Sequence, residues 1–532
     1  MHTFKQLNTP ITYKESWFYY LLAILAILLF FHIGATPIYI LDEAKNAECA
    51  REMLQNHNWI IPTFNGELRT DKPPLHYFFM AFSYRIFGFT EFAARFFSVI
   101  MGLLTVCITY FYTKKFVPSF TAFCAAVVLT ASTHFIFEFR LAVPDPYLIC
   151  FITLGLFSAY SWIEENKVSQ LYICAAALAL ACLAKGPVAL ALPGLCILIW
   201  LVWSKKWKHV LSFHLLGALI LFLLIALPWY IAVDRATNGE WTKGFFIDNN
   251  LNRFSDSQEG HGGFFGLTLL FFIIGMLPYF VFIGGIIQKR ITVFSDSLVK
   301  FSGIIVLSFI VFFSFASTKL PNYAMPCYPF AAIVIGKYIA GMLKGDWTAK
   351  KYPYYILIAF TFCIPIAGYY ILTQEDDLKF LAPVVFILLI VPLVMIVFCF
   401  LKKGDFFKKQ IAWIFWAYCI FDLIGIAYLY PAIYRQNPVT ATIEQVKEEK
   451  NIFAYQIFNS GYRFYLDKNI PRTFYTDTLQ QWLQSPGNAI VITRLEYLPD
   501  LKHLPLVEIA RHRDIFELPT TVILKKVTDE EH

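Results

Sequence analysis

Two short segments carry charged side chains of the kind that group transfer at a membrane surface needs. Asp42 and Glu43 form an acidic pair, and Asp71 and Lys72 stand before a Pro-Pro turn in the same long loop, residues 36–92. A carboxylate can accept a proton from an attacking group or orient it, and a lysine can stabilise an anionic leaving group. Taken singly, Asp42 is better explained as a helix cap and Lys72 as an interfacial lysine, and only their combination points to catalysis.

Helices in this loop must position these side chains. We expect Asp42 to cap a helix that runs to about Gln55, on which Glu48 and Arg51 are three residues apart and can pair. A second helix is expected to start near Asp71, with a proline just inside its start. Its aromatic run is typical of a membrane interface and comprises Tyr77, Phe78, Phe79, Phe82 and Tyr84. The loop is therefore predicted to form two helices lying flat on the outer surface.

The composition indicates a membrane protein. Of the 532 residues, 58% are hydrophobic and 15% are charged, whereas about a quarter of the residues in soluble domains are charged. Apolar runs of roughly 20 residues, the length that crosses a bilayer, recur from residue 17 to residue 431. We expect a polytopic α-helical membrane protein with about thirteen spans. They are predicted near 17–35, 93–113, 119–137, 145–163, 169–184, 187–203, 212–233, 264–287, 301–317, 323–342, 353–373, 380–401 and 410–430.

The distribution of Lys and Arg predicts the orientation. Loops rich in these residues alternate with sparser ones, and the positive-inside rule makes the richer side cytoplasmic. The long loops 36–92 and 234–263 then lie outside, and an odd number of spans places the C-terminus outside with them. The same distribution accounts for the formal net charge of +7, so no nucleic-acid partner is expected.

The last fifth of the chain has a different pattern. Residues 431–532 hold 25 of the 81 charged residues, and their short alternating runs are typical of strands. Strands are expected at IFAYQIF, YRFYL, RTFYT, NAIVITR, LVEIARH and TVILKKV, and a helix at LQQWLQS. We divide the chain into a membrane domain, 1–431, and a small soluble α/β domain, 432–532. Whether the latter caps an active-site cavity, contacts the acceptor or only stabilises the protein stays open.

Several activities are disfavoured by missing patterns. Ten of the eleven cysteines lie within or beside apolar segments, which argues against a disulfide framework. The sequence also has no CxxC pair and no Cys/His metal spacing. It also has no GxxxxGK[ST] phosphate loop and no GxGxxG turn between a strand and a helix. A soluble nucleotide-sugar site is therefore not expected.

An ordered set of motifs adds a family resemblance. The motifs are LDEAKNAECAREM, TDKPPLHYFFMAFSYRIFGFTEFAARF, RLAVPDPYL, LAKGPVALALPG, NNLNRF and STKLPNYAMPCYP. Together they resemble the polyprenyl-phosphate-sugar-dependent C-type glycosyltransferases, and within these the aminoarabinose transferase and protein mannosyltransferase group. The resemblance implies the fold of those enzymes and an undecaprenyl-phosphate sugar as donor.

The resemblance also implies roles for individual residues. Asp42 and Glu43 would be catalytic. The donor phosphate would be bound by Lys72, Arg253, Lys319 and Tyr323. Substrate would be bound by Asp145, Glu48, Arg51 and Asp71. Asp71 stands where the family usually has Glu, Lys45-Asn46 replaces the usual Arg-Tyr, and the segment after Arg253 lacks the customary Arg-Pro, which leaves the sugar and the acceptor open.

Two further charged residues lie at predicted span ends. Asp145, between two prolines, needs a partner or a ligand at such a place; substrate or metal binding and an ion pair with Arg140 both stay open. Lys185 is interpreted as a snorkelling lysine in preference to a substrate contact. No cofactor is required, although a divalent metal could bind at Glu43, Asp71, His76 and His261, whose spacing fits no strict metal pattern.

The acceptor and location follow mainly from the resemblance. Lipid A is the first expected acceptor, protein hydroxyl groups with mannose as the sugar are the second, and another envelope glycan is the third. The outer segments contain no N-x-[ST] acceptor and the tail DEEH is not a retrieval signal, so we expect the bacterial inner membrane with a periplasmic active face. A lipid-sugar flippase or transporter is the alternative from another class.

Overall fold

A computed structural model describes residues 13–251, 263–347, 350–400, 406–516 and 518–527. Most of these residues are helical. The helices of the first half are α1 (Ser16–Phe30), α2 (Leu41–Gln55), α3 (Leu75–Phe87), α4 (Glu91–Phe116), α5 (Ser119–Thr130), α6 (Thr133–Glu138), α7 (Asp145–Glu165), α8 (Val168–Lys185), α9 (Val188–Trp203), α10 (His214–Ala236) and α11 (Glu240–Lys243). Those that follow are α12 (Leu267–Gly275), α13 (Ile283–Gln288), α14 (Arg290–Val293), α15 (Ser297–Phe315), α16 (Tyr328–Lys344), α17 (Tyr352–Thr373), α18 (Ile390–Phe400), α19 (Phe406–Ile424), α20 (Tyr430–Tyr434), α21 (Pro438–Val446), α22 (Gly461–Leu466) and α23 (Thr476–Leu483).

Within the described residues, eight helical segments are long and apolar enough to cross a membrane. They are α4, α7, α8, α10, α15, α17 and the continuous segments Pro321–Lys344 and Lys408–Tyr434. A ninth candidate is bent by 107° between Gly275 and Tyr279. Shorter apolar helices, 10–17 residues long, occupy four other predicted positions: Ser16–Phe30, Ser119–Thr130, Val188–Trp203 and Val384–Val397. The multi-pass helical fold is confirmed, while the count of thirteen spans stays a prediction.

The first long loop contains the two expected helices, but both begin at other residues than predicted. Ile40 precedes α2 and makes no side-chain cap, so the expectation that Asp42 caps the helix was wrong. Asp42 instead lies in the first turn, where a carboxylate interacts favourably with the helix dipole. Helix α3 begins at Leu75, so Pro74 directly precedes the helix and is not inside its start.

Packing explains why α3 does not behave as a purely interfacial helix. Tyr77 and Tyr84 are buried, while Phe82 is 56% exposed. The buried side of α3 packs against α2 and α4. Between α2 and α3 a two-stranded antiparallel ribbon, β1 (Thr63–Phe64) with β2 (Glu67–Leu68), turns at Asn65 and Gly66, which both have positive φ. The aromatic run therefore contributes to the protein interior as well as to the surface.

The chain ends in a five-stranded sheet with the order β4-β3-β5-β7-β6. Its strands are β3 (Asn451–Tyr455), β4 (Arg472–Thr473), β5 (Ala489–Arg494), β6 (Leu506–Arg513) and β7 (Thr520–Lys526). Strand β3 is parallel to β4 and β5, and β7 is antiparallel to β5 and β6. The segment YRFYL, expected as a strand, forms helix α22, because two parallel neighbours need a crossover connection. The α/β character is confirmed, and the domain boundary at 431/432 stays a prediction.

Candidate functional site

A cavity of about 420 Å³ lies where the first long loop meets the ends of α7 and α8. Its polar wall contains Asp71 and Lys72 from the loop, Asp145 from the first turn of α7, and Lys185 from the last turn of α8. Tyr323 also lines it. The structure therefore brings together side chains that are separated by up to about 250 residues in the sequence.

The chain can turn sharply after Lys185 because the next residue is glycine. Gly186 has φ +92°, a conformation that L side chains rarely adopt. A Cβ atom there would lie 2.5 Å from the Phe245 ring. Phe245 in turn stacks on the buried Trp241. Close packing of the second long loop on this turn thus fixes the direction in which Lys185 enters the cavity.

Lys185 and Asp145 form an ion pair, which corrects two expectations from the sequence. Lys185 is directed into the protein, with its ammonium nitrogen 5.5 Å from the centre of the Tyr323 ring, so the snorkelling interpretation was wrong. Arg140 is not the partner of Asp145. Its guanidinium donates hydrogen bonds to the carbonyl oxygens of Leu28 and Leu29 at 2.8 and 2.7 Å.

The loop carboxylates are held in their ionised form by neighbouring cations. Neighbouring protein atoms displace part of the water around Asp42, which raises its pKa, but the positive charges of Lys72 and Arg69 outweigh this effect and lower the pKa below its ordinary value. The pKa of Asp71 is lowered in the same way, by Arg69 and Lys72 acting against burial. Asp42 is exposed. An exposed anionic carboxylate beside a lysine can orient a substrate and stabilise positive charge that develops on it.

Arg69 is a site residue that sequence reasoning missed. It is buried, its Nε donates a hydrogen bond to Asp71 Oδ2 at 3.1 Å, and its guanidinium lies 5.7 Å from the centre of the Tyr77 ring. Its position two residues before Asp71 was the available signal. Arg69 holds the Asp71 carboxylate at the cavity and adds to the positive potential around Asp42.

Other predicted phosphate ligands have different outcomes. Lys72 and Tyr323 line the cavity. Lys319 is buried, and its ammonium group donates a hydrogen bond to the carbonyl oxygen of Ala316 at 2.6 Å. Arg253 lies outside the described residues, as does His261.

Glu43 has a structural environment and does not line the cavity. Both of its carboxylate oxygens accept hydrogen bonds from Arg95 at 2.8 Å, and Oε1 also accepts one from the Ala142 backbone at 2.7 Å. Only 1% of Glu43 is exposed. This bidentate pair anchors the start of α2 to α4. The Glu43 carboxylate, for which the sequence predicted a catalytic role, is thus engaged in structural hydrogen bonds.

Glu48 and Arg51 also lie away from the cavity. They pair with each other at 3.4 Å, as expected from their spacing. Glu48 further contacts Arg463 at 3.0 Å, and Arg51 contacts Asp467 at 3.1 Å. The structure therefore places the two predicted substrate ligands against the C-terminal sheet region.

The expectation of a metal gains no support from side-chain geometry. Among the described residues, no group of three or more His, Cys, Asp and Glu side chains could hold a metal ion. His76 is completely buried, and burial together with Arg69 and Lys72 lowers its pKa well below the ordinary value. A metal stays a prediction.

The rest of the cavity lining is mainly apolar. It includes Phe309, Phe312 and Phe313 of α15 and Leu148 and Ile152 of α7. A cavity lined by lysines and carboxylates together with aromatic and aliphatic side chains suits an amphiphile with a charged head. The fold and the cavity together fit the class of multi-pass membrane proteins that bind a lipid-linked molecule with a charged head.

Comparison with known proteins narrows this class. Residues 71–231 match the family model described as dolichyl-phosphate-mannose-protein mannosyltransferase. An uncharacterised protein of Aquifex aeolicus is 32% identical over 63% of this chain and 74% of its own length. The undecaprenyl phosphate-alpha-4-amino-4-deoxy-L-arabinose arabinosyl transferase of Enterobacter sp. is 27% identical, over 60% of each chain. The chain thus matches about three fifths of the length of that curated relative.

A solved structure shares the fold over nearly the whole chain. The crystal structure of ArnT from Cupriavidus metallidurans bound to undecaprenyl phosphate has a TM-score of 0.81 and covers 97% of this chain and 98% of that one, at 19% identity. The protein belongs to the C-type membrane glycosyltransferases of the aminoarabinose transferase and protein mannosyltransferase group. The family resemblance and the membrane fold expected from the sequence are confirmed.

Proposed function

We propose that the protein transfers a sugar from an undecaprenyl phosphate monosaccharide to an acceptor at the periplasmic face of the bacterial inner membrane. The main support for the proposal is a single cavity that is lined both by Lys72, Lys185 and Tyr323 and by the phenylalanine side chains of α15. A polyprenyl phosphate has the matching chemistry, an anionic head on an apolar tail. The names of the arabinosyl transferases and of the ArnT structure support the same donor.

In this reaction an acceptor oxygen attacks the anomeric carbon, and the bond from that carbon to the phosphate oxygen breaks. The polyprenyl phosphate leaves with the electron pair, and the configuration at the anomeric carbon inverts. Lys72 and the hydroxyl group of Tyr323 would stabilise the growing negative charge on the phosphate. Arg253 is proposed to join them on the basis of the sequence. Asp145 would hold the Lys185 ammonium at the cavity wall through their ion pair.

Lipid A is the acceptor that the electrostatics of Asp42 favour. A general base works best when its pKa lies near the ambient pH, whereas the pKa of Asp42 is lowered by Lys72 and Arg69. A phosphate acceptor such as that of lipid A is already ionised and needs no base. Asp42 would then orient the sugar and stabilise positive charge at its anomeric carbon.

Protein hydroxyl groups are the second candidate acceptor. The description of the matching family model supports this candidate, and a hydroxyl acceptor would require Asp42 to take up a proton. Transfer to another envelope glycan would use the same donor chemistry. A flippase would need the donor phosphate but would form no glycosidic bond.

Mass spectrometry of lipid A and of envelope proteins tests the proposal. Cells with the gene, cells without it and cells with Asp42→Asn should be compared. We expect a mass increment on lipid A that is absent from both deficient strains. Loss of a hexose from proteins with unchanged lipid A would move the acceptor to protein. No change in either pool would contradict both acceptors and favour another glycan or a flippase.

A further inference from the structure

The C-terminal sheet has a pocket at the position where α/β sheets commonly bind ligands. From β3 the chain crosses through α22 to β4 on one side, then through α23 to β5 on the other side of β3. The strand order therefore reverses around β3, and crevices at the carboxyl ends of strands next to such a reversal are frequent ligand sites. A pocket of about 400 Å³ lies there, lined by Tyr455, Phe474, Tyr475, Thr476, Asp477 and Asp500.

Aromatic rings and carboxylates are exposed in this pocket. Tyr475 is 73% exposed and Phe474 is 51% exposed. Asp477 and Asp500 are also exposed, while Tyr455 is buried and directs its hydroxyl group towards Asp500 at 3.4 Å. Large aromatic side chains so exposed beside two carboxylates are unexplained by the packing of the sheet, whose interior is made by other residues.

Hydrogen bonds hold the aromatic segment in place. The side-chain amide of Gln456 donates to the carbonyl oxygen of Phe474 at 3.1 Å, and the backbone N–H of Tyr475 donates to Thr473 Oγ1 at 3.1 Å. The rings are therefore presented on a backbone that is fixed to the ends of β3 and β4. A binding surface that is already ordered loses less conformational entropy when a ligand binds.

The polar groups define the ligand chemistry. The carboxylate oxygens of Asp477 and Asp500 are hydrogen-bond acceptors, so a ligand with donor groups fits this pocket and an anionic ligand is disfavoured. The nearby Arg472 does not offset this charge, because its guanidinium contacts Glu67 at 3.0 Å and lies 4.9 Å from the centre of the Phe474 ring. A flat aromatic surface adjacent to these acceptors suits a ring with one apolar face.

We propose that this pocket is a second, non-catalytic saccharide site. It binds a pyranose ring whose apolar face stacks on Tyr475 and whose hydroxyl or ammonium groups donate to Asp477 and Asp500. Cationic amino sugars bind better than neutral sugars, and phosphorylated sugars bind worst. That a saccharide binds here does not depend on the proposed function. That the bound sugar belongs to the glycolipid acceptor does depend on it.

Saturation-transfer NMR on the full-length protein in nanodiscs tests the site directly. Glucosamine, glucose and glucose 6-phosphate are titrated as cationic, neutral and anionic probes. We expect affinity to fall in that order. Tyr475→Ala should weaken glucosamine binding roughly tenfold, as loss of one aromatic contact would, and Asp477→Asn with Asp500→Asn should abolish the preference for glucosamine over glucose.

Matched variants separate this site from the membrane cavity. Glu444→Gln, an exposed carboxylate on α21 outside the pocket, should leave the titrations unchanged. Asp42→Asn should also leave them unchanged, even if it abolishes sugar transfer. Saturation transfer that is lost in Asp42→Asn and kept in Tyr475→Ala would overturn the proposal, because the probe would then bind beside Asp42 and not in the sheet pocket.

A membrane contact is the other outcome that would overturn the proposal. In that case none of the probes would respond to Tyr475→Ala or to Phe474→Ala, and both variants would lose transfer activity in nanodiscs while keeping it in detergent. Because both side chains are exposed, the Tyr475→Ala and Phe474→Ala variants should have the melting temperature of the wild type. Failure of the proposed transferase function would leave the saccharide titrations as predicted.

Discussion

Lys72 is the residue on which the donor assignment depends most directly. Replacing it by alanine should weaken binding of undecaprenyl phosphate by about ten- to a hundredfold, since a hydrogen bond to a charged group contributes about 1.5–3 kcal/mol. Lys72→Arg should keep most of the affinity because the charge remains. Native mass spectrometry or thermophoresis of the purified protein measures the dissociation constant.

A second lysine provides the control for this prediction. Lys243 is exposed on α11, in the second long loop, and does not line the cavity. Lys243→Ala should bind undecaprenyl phosphate as the wild type does. Equal affinities for Lys72→Ala and Lys243→Ala would show that Lys72 does not contact the donor phosphate.

Sequence reasoning at the level of single residues succeeded where side chains lie within one loop and failed where they meet through packing. Asp42 and Lys72 belong to one loop, and their charges interact in the structure. An ion pair with Arg140, its neighbour in sequence, was one of the alternatives left open for Asp145, but its partner is Lys185, 40 residues away. Only the packing of α7 against α8 brings this lysine to the carboxylate, and spacing along one chain does not reveal that.

At the scale of elements, α2 is held by the buried pair between Glu43 and Arg95. Breaking a buried ion pair leaves an uncompensated charge and costs about 3–5 kcal/mol. We therefore expect Glu43→Gln to lower the melting temperature clearly. The exposed pair between Glu67 and Arg472 should matter little, since such pairs contribute about 0–1 kcal/mol.

Thermal unfolding of the two variants in the same detergent makes the comparison. Glu67→Gln should melt within a degree or two of the wild type, as a small loss at an exposed pair implies. The amount of folded Glu43→Gln should fall, while its folded fraction should still bind donor. Equal melting temperatures for Glu43→Gln and Glu67→Gln would contradict an anchoring role for Glu43.

Hydrophobic patterning predicted helices more reliably than their limits. A bilayer requires long apolar helices, so the run at 93–113 appears as α4, Glu91–Phe116. Helix α5 ends at Thr130 and the bent pair breaks after Gly275, which apolar composition does not reveal. YRFYL was mistaken for a strand because a five-residue alternation also fits one buried helical turn, and the crossover topology decides between them.

At the scale of the molecule, the C-terminal sheet region is joined to α2 by a charge cluster that is buried except for Asp467. Glu48, Glu52 and Asp467 supply three carboxylates, and Arg51 and Arg463 supply two guanidiniums. These residues come from segments about 400 residues apart, so sequence spacing predicted the Glu48–Arg51 pair but not its partners. One proton on a carboxylate would balance the charges of the cluster.

Glu48 is the group that should hold this proton. Burial, reinforced by Glu52 and Asp467 and opposed by Arg51 and Arg463, raises its pKa to about 7. In the unfolded chain its pKa is near 4.5. Between these values the folded protein keeps a proton that the unfolded chain has released, so stability falls as the pH rises from about 4.5 to about 7 and then levels off.

Glu48→Gln removes this titration while keeping the shape of the protonated side chain. The decrease in the free energy of unfolding between pH 5 and pH 7 should therefore be smaller in this variant, by up to roughly 3 kcal/mol. Melting temperatures across that range measure it. Glu444→Gln, whose side chain is 73% exposed in the native protein, should keep the slope of the wild type. An unchanged slope in Glu48→Gln would mean that the two regions are joined by a fully ionised cluster.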